Sequence, residues 1–241
     1  MENYISIENL TKSFCGRKVV DSLSFDVKKG EVFALLGHNG AGKSTTIDLI
    51  LGLKKSDSGK ALLFGQEACK NRKKIFERTG VQLQNTQYQS NITVEEACLE
   101  YSSLYSEPAD WENLLEQFNL ISLRKSFVSK LSGGERQKLS VILALIGNPE
   151  IVFLDELTTG LDVVSRHEVW NTLLNLKEKG LTIFLTTHYM EEAEALCDRV
   201  CLIKSGKKVI EGTVKEVIYA SGKQNLEKAY LYFMERNKNF I

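Results

Sequence analysis

The sequence LSGGE, Leu131–Glu135, places a serine and two glycines directly before a good helix-forming residue. Serine is a favoured N-cap, and glycines let a ligand approach the backbone N–H groups of the first helical turn. The positive end of the helix dipole favours an anion at the same place. This stretch therefore predicts a helix that begins near Ser132 and can bind an anion at its start.

A second anion-binding helix start is predicted by GHNGAGKST, Gly37–Thr45, which matches the full phosphate-loop pattern between an apolar stretch and a helical one. Backbone N–H groups of the loop are expected to surround a β-phosphate, Lys43 to span β- and γ-phosphate oxygens, and Ser44 to ligate Mg²⁺. The residues assigned to nucleotide binding here are Gly37, His38 (through its backbone), Asn39, Gly40, Ala41, Gly42, Lys43, Ser44 and Thr45. Two such helix starts predict that one polyphosphate is gripped from two sides.

An acidic pair ends the short hydrophobic stretch Ile151–Leu154. Asp155, at the carboxyl end of a buried strand, can hold the metal ion through water, and Glu156 can polarise an attacking water as a general base. An adjacent acid pair is often only a strand end. Together with Lys43, however, it strongly favours enzymatic phosphoryl chemistry.

The composition bounds the class of protein. The 241 residues, 43% hydrophobic and 26% charged, are enough for one globular domain with a subdomain. The 31 basic and 31 acidic residues give a net charge of zero, so no nucleic acid is expected as a partner. Five scattered cysteines without a CxxC pair predict free thiols in a reducing cytoplasm. No apolar run approaches the roughly 18–20 residues that cross a bilayer, and the polar N-terminus is no signal peptide.

Apolar patterning predicts an α/β fold. Strands are predicted over 5–7, 23–27, 32–36, 60–64, 79–83, 151–154, 182–186, 200–203 and 209–210. Helices are predicted after the phosphate loop, from Thr93, over 111–118, from Gly134 to about Gly147, from Ser165, from Met190 and in two short segments near the C-terminus. This order predicts a mostly parallel sheet, an N-terminal antiparallel β subdomain and an inserted helical subdomain. We expect the nucleotide-binding core over residues 1–84 and 147–241, and the helical subdomain over 85–146.

With these motifs in place, the chain resembles the ATP-binding subunit of an ABC transporter over almost its whole length. The resemblance implies a P-loop NTPase core of the ABC ATPase type that hydrolyses ATP with Mg²⁺. In that family a glutamine after a central strand senses the γ-phosphate and couples to the membrane partner. The matching residue is Gln84 in GVQLQ, with Gln82 and Gln87 as rivals, and the resemblance places Gln84 with Ser44 and Asp155 at the metal site.

Three further site residues follow from the resemblance. The D-loop of the family corresponds to Gly160-Leu161-Asp162, and its switch histidine to His188 in LTTH, although a histidine there could also be a core residue. His167 is expected on a helix surface. The aromatic residue that stacks on adenine matches Phe14, where tyrosine is commoner in the family; the alternative is a core phenylalanine.

The sequence departs from the family pattern at two motif positions. Glu135 stands where glutamine is most frequent, and Leu157 replaces the proline that usually follows the acidic pair. The second change is expected to loosen the turn without changing the chemistry. Because the sequence ends soon after the core, an appended regulatory domain is not expected.

The resemblance also implies partners. The phosphate loop of one copy is expected to face Ser132, Gly133 and Gly134 of a second ABC ATPase copy, most simply in a homodimer, with ATP between them. An integral-membrane permease subunit is expected to dock on the helical subdomain, so the chain is expected in the cytoplasm, peripheral on the inner face of the cell membrane. An exporter is favoured.

Two other classes of function remain open. The first alternative is a soluble ABC-type ATPase that acts on translation or DNA, but such relatives carry paired cassettes, long coiled coils or zinc inserts. The second is a nucleotide-sensing protein without activity, which would require a broken catalytic set. Lys43, Asp155, Glu156 and His188 are all present.

Overall fold

The computed structural model of the chain describes residues 2–82, 88 and 91–236. The strands, in chain order, are β1 (Asn3–Phe14), β2 (Arg17–Lys28), β3 (Val32–Leu36), β4 (Ser58–Leu63), β5 (Thr79–Gln82), β6 (Ile151–Asp155), β7 (Thr182–Thr187), β8 (Arg199–Lys204) and β9 (Lys207–Thr213). The helices are α1 (Lys43–Ile50), α2 (Arg72–Phe76), α3 (Val94–Ser102), α4 (Trp111–Gln117), α5 (Gly133–Leu145), α6 (Val163–Glu178), α7 (Met190–Leu196), α8 (Val214–Ser221) and α9 (Leu226–Arg236). The chain divides into two compact units, Met1–Ile75 with Phe184–Ile241, and Phe76–Ile183.

An antiparallel sheet of the order β2-β1-β4 lies in the first unit. Its register places Ile5 opposite Val27 and Ile7 opposite Phe25, and all four side chains are buried. Because successive side chains of a strand point to opposite faces, this alternation gives the sheet one apolar face. The predicted antiparallel β subdomain is confirmed.

A parallel strand pair in the first unit leads into the phosphate loop. β3 pairs with β8 in parallel, with Leu36 opposite Leu202, and β9 returns antiparallel to β8. Every residue of β3 is buried, as its continuous apolar sequence predicts. The rings of Phe33, Phe25 and Phe184 form a mutual cluster, with Phe33 5.1 Å from Phe25 and 5.9 Å from Phe184, and Phe25 6.1 Å from Phe184, between ring centroids. The strand that precedes the loop is therefore anchored in a packed aromatic core.

The second unit combines a parallel strand pair with a helical core. β5 pairs with β6 in parallel, and α5 packs so closely that a Cβ atom at Gly80 would lie 2.1 Å from the carbonyl oxygen of Ala144. The buried side chains of the helical part include Leu114, Leu115, Phe118, Leu139, Ile142 and Leu143. The stripe that begins at Trp111 is thus subdomain core, as its helical spacing predicts.

A polar tie joins α5 to α6 inside the second unit. Nζ of Lys138 lies 2.6 Å from Oε2 of Glu168, and the Lys138 side chain is only 9% exposed. The hydroxyl of Thr172 on α6 also donates to the carbonyl oxygen of Gln117, at 3.2 Å. The helix that starts with the LSGGE sequence is therefore fixed to its neighbour by a charged contact as well as by apolar packing.

Some predicted boundaries differ from the observed ones. α6 begins at Val163 rather than Ser165, because the side chain of Asp162 caps it. α5 begins at Gly133 with Ser132 as its N-cap, which confirms the predicted cap. All five cysteines are free thiols, as expected. Among the residues that the structure describes, no helix is both long enough and apolar enough to cross a membrane.

Candidate functional site

The phosphate loop closes on its own lysine. Lys43 is only 4% exposed, and its ammonium group donates to the carbonyl oxygens of Gly37 at 2.9 Å and His38 at 3.4 Å. The backbone N–H of Ala41 donates to the carbonyl oxygen of His38 at 3.0 Å, which tightens the loop. The ammonium group of Lys43 therefore lies across the opening of the loop. A bound phosphate would replace the two carbonyl oxygens as its hydrogen-bond acceptor.

Glycine is required at two loop positions by the backbone itself. Gly42 has a φ of +108°, and a Cβ atom there would lie 2.5 Å from the carbonyl oxygen of Val19. A Cβ atom at Gly37 would lie 2.8 Å from the carbonyl oxygen of Ile203. The loop is thus packed against the strands behind it, and side chains at these positions would force it out of shape.

The backbone N–H groups in the first turn of α1 have no side-chain cap. Gly42 is the N-cap, no side chain accepts a hydrogen bond from the first turn, and the first turn has no acidic residue. Ser44 is exposed at this turn, whereas Thr46 is buried and donates its hydroxyl to the carbonyl oxygen of Gly42. Uncapped N–H groups, a nearby ammonium and an exposed hydroxyl fit a phosphate group with Mg²⁺.

Phe14 lies at the surface of the first unit. It is 40% exposed, and the ammonium groups of Lys12 and Lys54 each lie 5.5 Å from its ring centroid. Nζ of Lys12 lies 2.9 Å from Oδ1 of Asp57, and Nζ of Lys54 lies 2.8 Å from Oδ2 of Asp48. The alternative that Phe14 is a core residue is wrong. The two flanking lysines were not expected, although Lys12 could have been found, since it shares a strand face with Phe14.

His188 directly follows β7 in the first unit. It is half-buried, and its ring centroid lies 4.2 Å from that of Tyr189. The backbone N–H of Tyr189 donates to the hydroxyl of Thr187 at 2.9 Å, which fixes the chain direction after the strand. The imidazole therefore has a defined position at the strand end, as a switch residue requires. His167 is exposed on α6, as expected.

The LSGGE helix start forms a capping box in the second unit. Ser132 Oγ accepts from the N–H of Glu135 at 3.2 Å, and the Glu135 carboxylate accepts from the N–H of Ser132 at 2.8 Å. This backbone hydrogen bond holds the pKa of Glu135 below its usual value. Ser132 and Gly133 are exposed, so the start of α5 is open to an approaching ligand.

The acidic pair ends β6 in the second unit. Asp155 is buried, and Glu156 has a φ of +52°, a left-handed conformation that a non-glycine residue adopts only when its surroundings impose it. Leu157 is fully buried, and the turn is closed by the N–H of Thr159 on the carbonyl oxygen of Glu156 at 3.3 Å. Burial and this backbone hydrogen bond hold the turn, and the looser turn expected from leucine in place of proline stays a prediction.

Asp162 caps α6. Its carboxylate accepts from the N–H of Ser165 at 3.0 Å and from the hydroxyl of Ser165 at 2.7 Å, and the backbone hydrogen bond lowers its pKa. Val163 and Val164 follow it with 66% and 69% of their surface exposed. The predicted D-loop thus ends in a charged cap beside an apolar, exposed pair.

The structure distributes the predicted site residues over the two units. Phe14, the phosphate loop and His188 lie in the first unit; Ser132, the acidic pair and Asp162 lie in the second. Gln84 and its rival Gln87 lie outside the described residues, and the other rival, Gln82, is buried at the end of β5. No cluster of three or more metal-ligating side chains occurs in the part of the chain that the structure describes.

A buried strand that leads into a glycine loop, a lysine folded across that loop and an uncapped helix start define a phosphate-loop nucleotide-binding protein of the α/β class. The family model described as ABC transporter matches residues 20–159, more than half of the chain. The chain therefore belongs to the ABC transporter family, as an ATP-binding and ATP-hydrolysing subunit. A model described as AAA domain, putative AbiEii toxin, Type IV TA system, matches the shorter stretch 127–192.

Similar proteins agree with this assignment. The chain is 40% identical over 219 residues to a Nod factor export ATP-binding protein I of Burkholderia orbicola (strain AU 1054), covering 89% of this chain and 72% of that protein. A solved ATP binding subunit of an ABC transporter superposes with a TM-score of 0.87 at 27% identity, covering 96% of this chain and 99% of the other. The ADP conformation of another ATP-binding cassette, MJ1267, gives a TM-score of 0.81 at 25% identity, with 96% and 99% coverage. The α/β fold predicted from the sequence is confirmed.

Proposed function

We propose that this chain powers a membrane transporter by closing on a second copy of itself around ATP. The observation that carries the proposal is the exposed start of α5, where the backbone N–H of Gly133 and the hydroxyl of Ser132 can donate to a ligand, while the N–H of Ser132 already donates to Glu135. Family membership suggests the other half of the ATP site. The phosphate loop of the second copy would hold the nucleotide against this helix start. ATP then joins two surfaces, and its hydrolysis separates them.

Lys43 and the start of α1 are proposed to bind the triphosphate from one side. The ammonium group, now on the carbonyl oxygens of Gly37 and His38, would move to the β- and γ-phosphate oxygens. The hydroxyl of Ser44 and the carboxylate of Asp155, with Gln84, would hold Mg²⁺. The ion, when bound, supplies positive charge that offsets the charge developing on the phosphate oxygens.

Glu156 and His188 are proposed to act on the attacking water. The carboxylate of Glu156 would accept a proton from that water as general base, and its left-handed backbone sets the direction of the side chain. His188, positioned at the end of β7, would contact the γ-phosphate. It would also keep the carboxylate of Glu156 and the attacking water in place for proton transfer. Asp162, which caps α6, would face the second copy.

Phe14 is proposed to stack on the base of the nucleotide. Its ring is exposed, and two lysine ammonium groups next to it stay fixed by their carboxylate partners. Stacking needs only a π face, so phenylalanine can replace the commoner tyrosine at the cost of a hydroxyl contact.

The proposed partner is an integral-membrane permease, and the proposed process is export. The Nod factor export ATP-binding protein I of Burkholderia orbicola supports the direction through its name alone. The permease would dock on the helical unit, which would place the chain on the inner face of the membrane. Purification from membranes should bring along an integral-membrane polypeptide, and recovery of ribosomal or DNA-bound partners alone would contradict this part.

The test of the central proposal is the Glu156→Gln variant. Removing the base should leave ATP bound, so the variant should shift from monomer to dimer in sedimentation velocity when ATP and Mg²⁺ are added. The double variant Lys43→Ala, Glu156→Gln is the control and should stay monomeric, because it lacks the ammonium group that holds the phosphates. A Glu156→Gln protein that remains monomeric with saturating ATP would contradict the proposal.

A further inference from the structure

The two helix starts of the proposed ATP site differ in charge. α1 begins without a side-chain cap and without an acidic residue in its first turn. α5 begins with a complete capping box in which Glu135 is the acidic member. A helix start attracts anions, and at α5 the chain has already placed one of its own there.

The contacts of Glu135 show how closely it is bound. Its Oε2 accepts from the N–H of Ser132 at 2.8 Å, while its own N–H donates to Ser132 Oγ at 3.2 Å. The cation that acts on it, Lys138, is already paired with Glu168 at 2.6 Å. Arg136, the next residue, turns its guanidinium to the carbonyl oxygen of Leu131. Among the residues that the structure describes, no cation forms an ion pair with Glu135, whose charge is held at the exposed turn by the backbone.

We propose that Glu135 is an intramolecular competitor that weakens the ATP-bound dimer and speeds its opening. This inference rests on the proposed function, in which the γ-phosphate approaches Ser132 and Gly133 from a second copy. The phosphate then meets the fixed negative charge of Glu135 next to the donors that receive it. Like charges close to each other repel even near water. Glutamine would keep the cap without the charge, because its amide oxygen can accept the same hydrogen bond.

The chain contains a matched control for this test. Glu216 closes the capping box of α8 with Thr213, again with a 2.8 Å hydrogen bond to the backbone N–H and a 3.2 Å return contact. Its pKa is likewise lowered, chiefly by the hydrogen bond from the backbone N–H of Thr213, so the two capping boxes share the same hydrogen-bond geometry. α8 lies in the first unit and has no part in the proposed nucleotide site.

The experiment measures the ATP concentration that gives half-maximal dimer, by sedimentation velocity, in proteins that all carry Glu156→Gln. Adding Glu135→Gln should lower this concentration roughly fivefold to tenfold, the effect of removing one nearby unit charge. Adding Glu216→Gln should leave it unchanged. Thermal unfolding of both variants checks that each is folded and that the two caps contribute similarly to stability.

Two further arms separate a charge effect from a structural one. Glu135→Asp keeps the charge but shortens the cap, so it should resemble the parent in its ATP requirement; resemblance to Glu135→Gln would overturn the proposal. Raising the salt concentration from about 0.05 M to 0.5 M should narrow the difference between Glu135→Gln and the parent, because screening weakens repulsion between exposed charges. A difference that does not change with salt would contradict a repulsive role.

The outcomes distinguish this inference from the function on which it rests. If the parent dimerises with ATP but Glu135→Gln needs the same concentration, the competitor role is wrong and the ATP-dependent dimer stands. If neither protein dimerises at any ATP concentration, the proposed function itself fails. In the otherwise wild-type chain, Glu135→Gln should lower KM for ATP and leave kcat unchanged or lower, because the dimer forms at less ATP and opens more slowly. A rise in kcat, or a KM that does not fall, would also contradict the inference.

Discussion

Individual residues at the candidate site adopt backbone conformations that most side chains avoid. Glu156 has a φ of +52°, in the region that costs a non-glycine residue about 1–2 kcal/mol. The neighbouring Leu157 is fully buried and the turn after it is hydrogen-bonded, so the surroundings hold Glu156 in place. The free energy stored in this conformation supports a functional role, since strain of this kind concentrates at active sites.

Gly42, in the phosphate loop, has a positive φ, and a Cβ atom there would lie 2.5 Å from a backbone carbonyl oxygen. Gly42→Ala should lower the free energy of unfolding by about 2–4 kcal/mol, because it combines a strained positive φ with a new clash against a backbone carbonyl. It should also weaken ATP binding at least about tenfold, since the loop must shift to relieve the clash and misplaces its N–H groups. Urea unfolding and titration with a fluorescent ATP analogue measure the two effects.

Gly30→Ala is the control for this prediction. Gly30 also has a positive φ, +76°, but a Cβ atom there meets nothing within 4 Å. The control should lose about 1 kcal/mol of stability and bind ATP normally. Equal losses in the two variants would show that the close approach to Val19 has no energetic consequence.

The local backbone path of the phosphate loop is easier to predict from the sequence than the surroundings of Phe14. The spacing of Lys43 and Ser44 predicts a glycine loop between a strand and a helix, and β3 and α1 flank the loop in the structure. The pair of lysines beside Phe14 was not predictable in full, since Lys54 reaches the ring from a turn after α1. Such contacts depend on tertiary packing, which one sequence does not encode in any local pattern.

At the scale of elements, α5 and α6 form a pair whose connection is partly ionic. Lys138 is nearly buried, while the side chain of Glu168 is 42% exposed. The carboxylate of Glu168 has a lowered pKa, chiefly through its hydrogen bond from Lys138. Both helices begin at proposed contact points, Ser132 and Asp162, so this tie keeps two parts of the proposed dimer surface in a fixed relation.

An element-scale prediction compares the two partners of this tie. Glu168→Gln should lower the free energy of unfolding by about 1–3 kcal/mol, because it leaves a nearly buried ammonium group without its carboxylate. Lys138→Met should cost much less, since an apolar side chain of similar volume leaves only the more exposed carboxylate behind. Urea unfolding of both variants provides the comparison, and a larger loss in Lys138→Met would contradict it.

Helix boundaries were predictable only where the cap could be recognised. The capping box at Thr93 was recognised and is confirmed as the start of α3. The sequence pattern assigns Asp162 to a loop and so predicts the start of α6 two residues late. A capping residue does not differ from a loop residue in sequence unless its partner, here Ser165, is identified as well.

At the scale of the whole molecule, the proposal requires two copies for one reaction. A twofold arrangement gives each dimer two equivalent ATP sites, each with a phosphate loop from one copy and an α5 start from the other. Specific ATPase activity should therefore fall on dilution. Activity that stays constant in solutions shown to contain only monomer would contradict the arrangement.

The corresponding prediction uses a mixture of two inactive chains. Lys43→Ala disables the phosphate loop and Ser132→Arg blocks the α5 start, so each variant alone should hydrolyse ATP at a small fraction of the normal rate. Mixed dimers contain one intact site, because the undamaged loop of one copy meets the undamaged helix of the other. An equal mixture should recover up to about a quarter of the normal rate.

The control for the mixture is a chain that carries both changes. Mixing it with either single variant leaves no site with two undamaged halves, and no recovery is expected. Recovery in that control would contradict the division of each site between the phosphate loop of one copy and the α5 start of the other.

The ring of Phe14 lies at the surface with two lysine ammonium groups each 5.5 Å from its centroid, and each ammonium group is held by its own carboxylate. A flat aromatic platform grips every purine equally well, since it senses the plane of the base and not the hydrogen-bonding pattern along its edge. Selection of adenine over guanine would then not arise at this platform. A preference for ATP over GTP would then have to come from other contacts to the edge of the base or from the relative abundance of the two nucleotides.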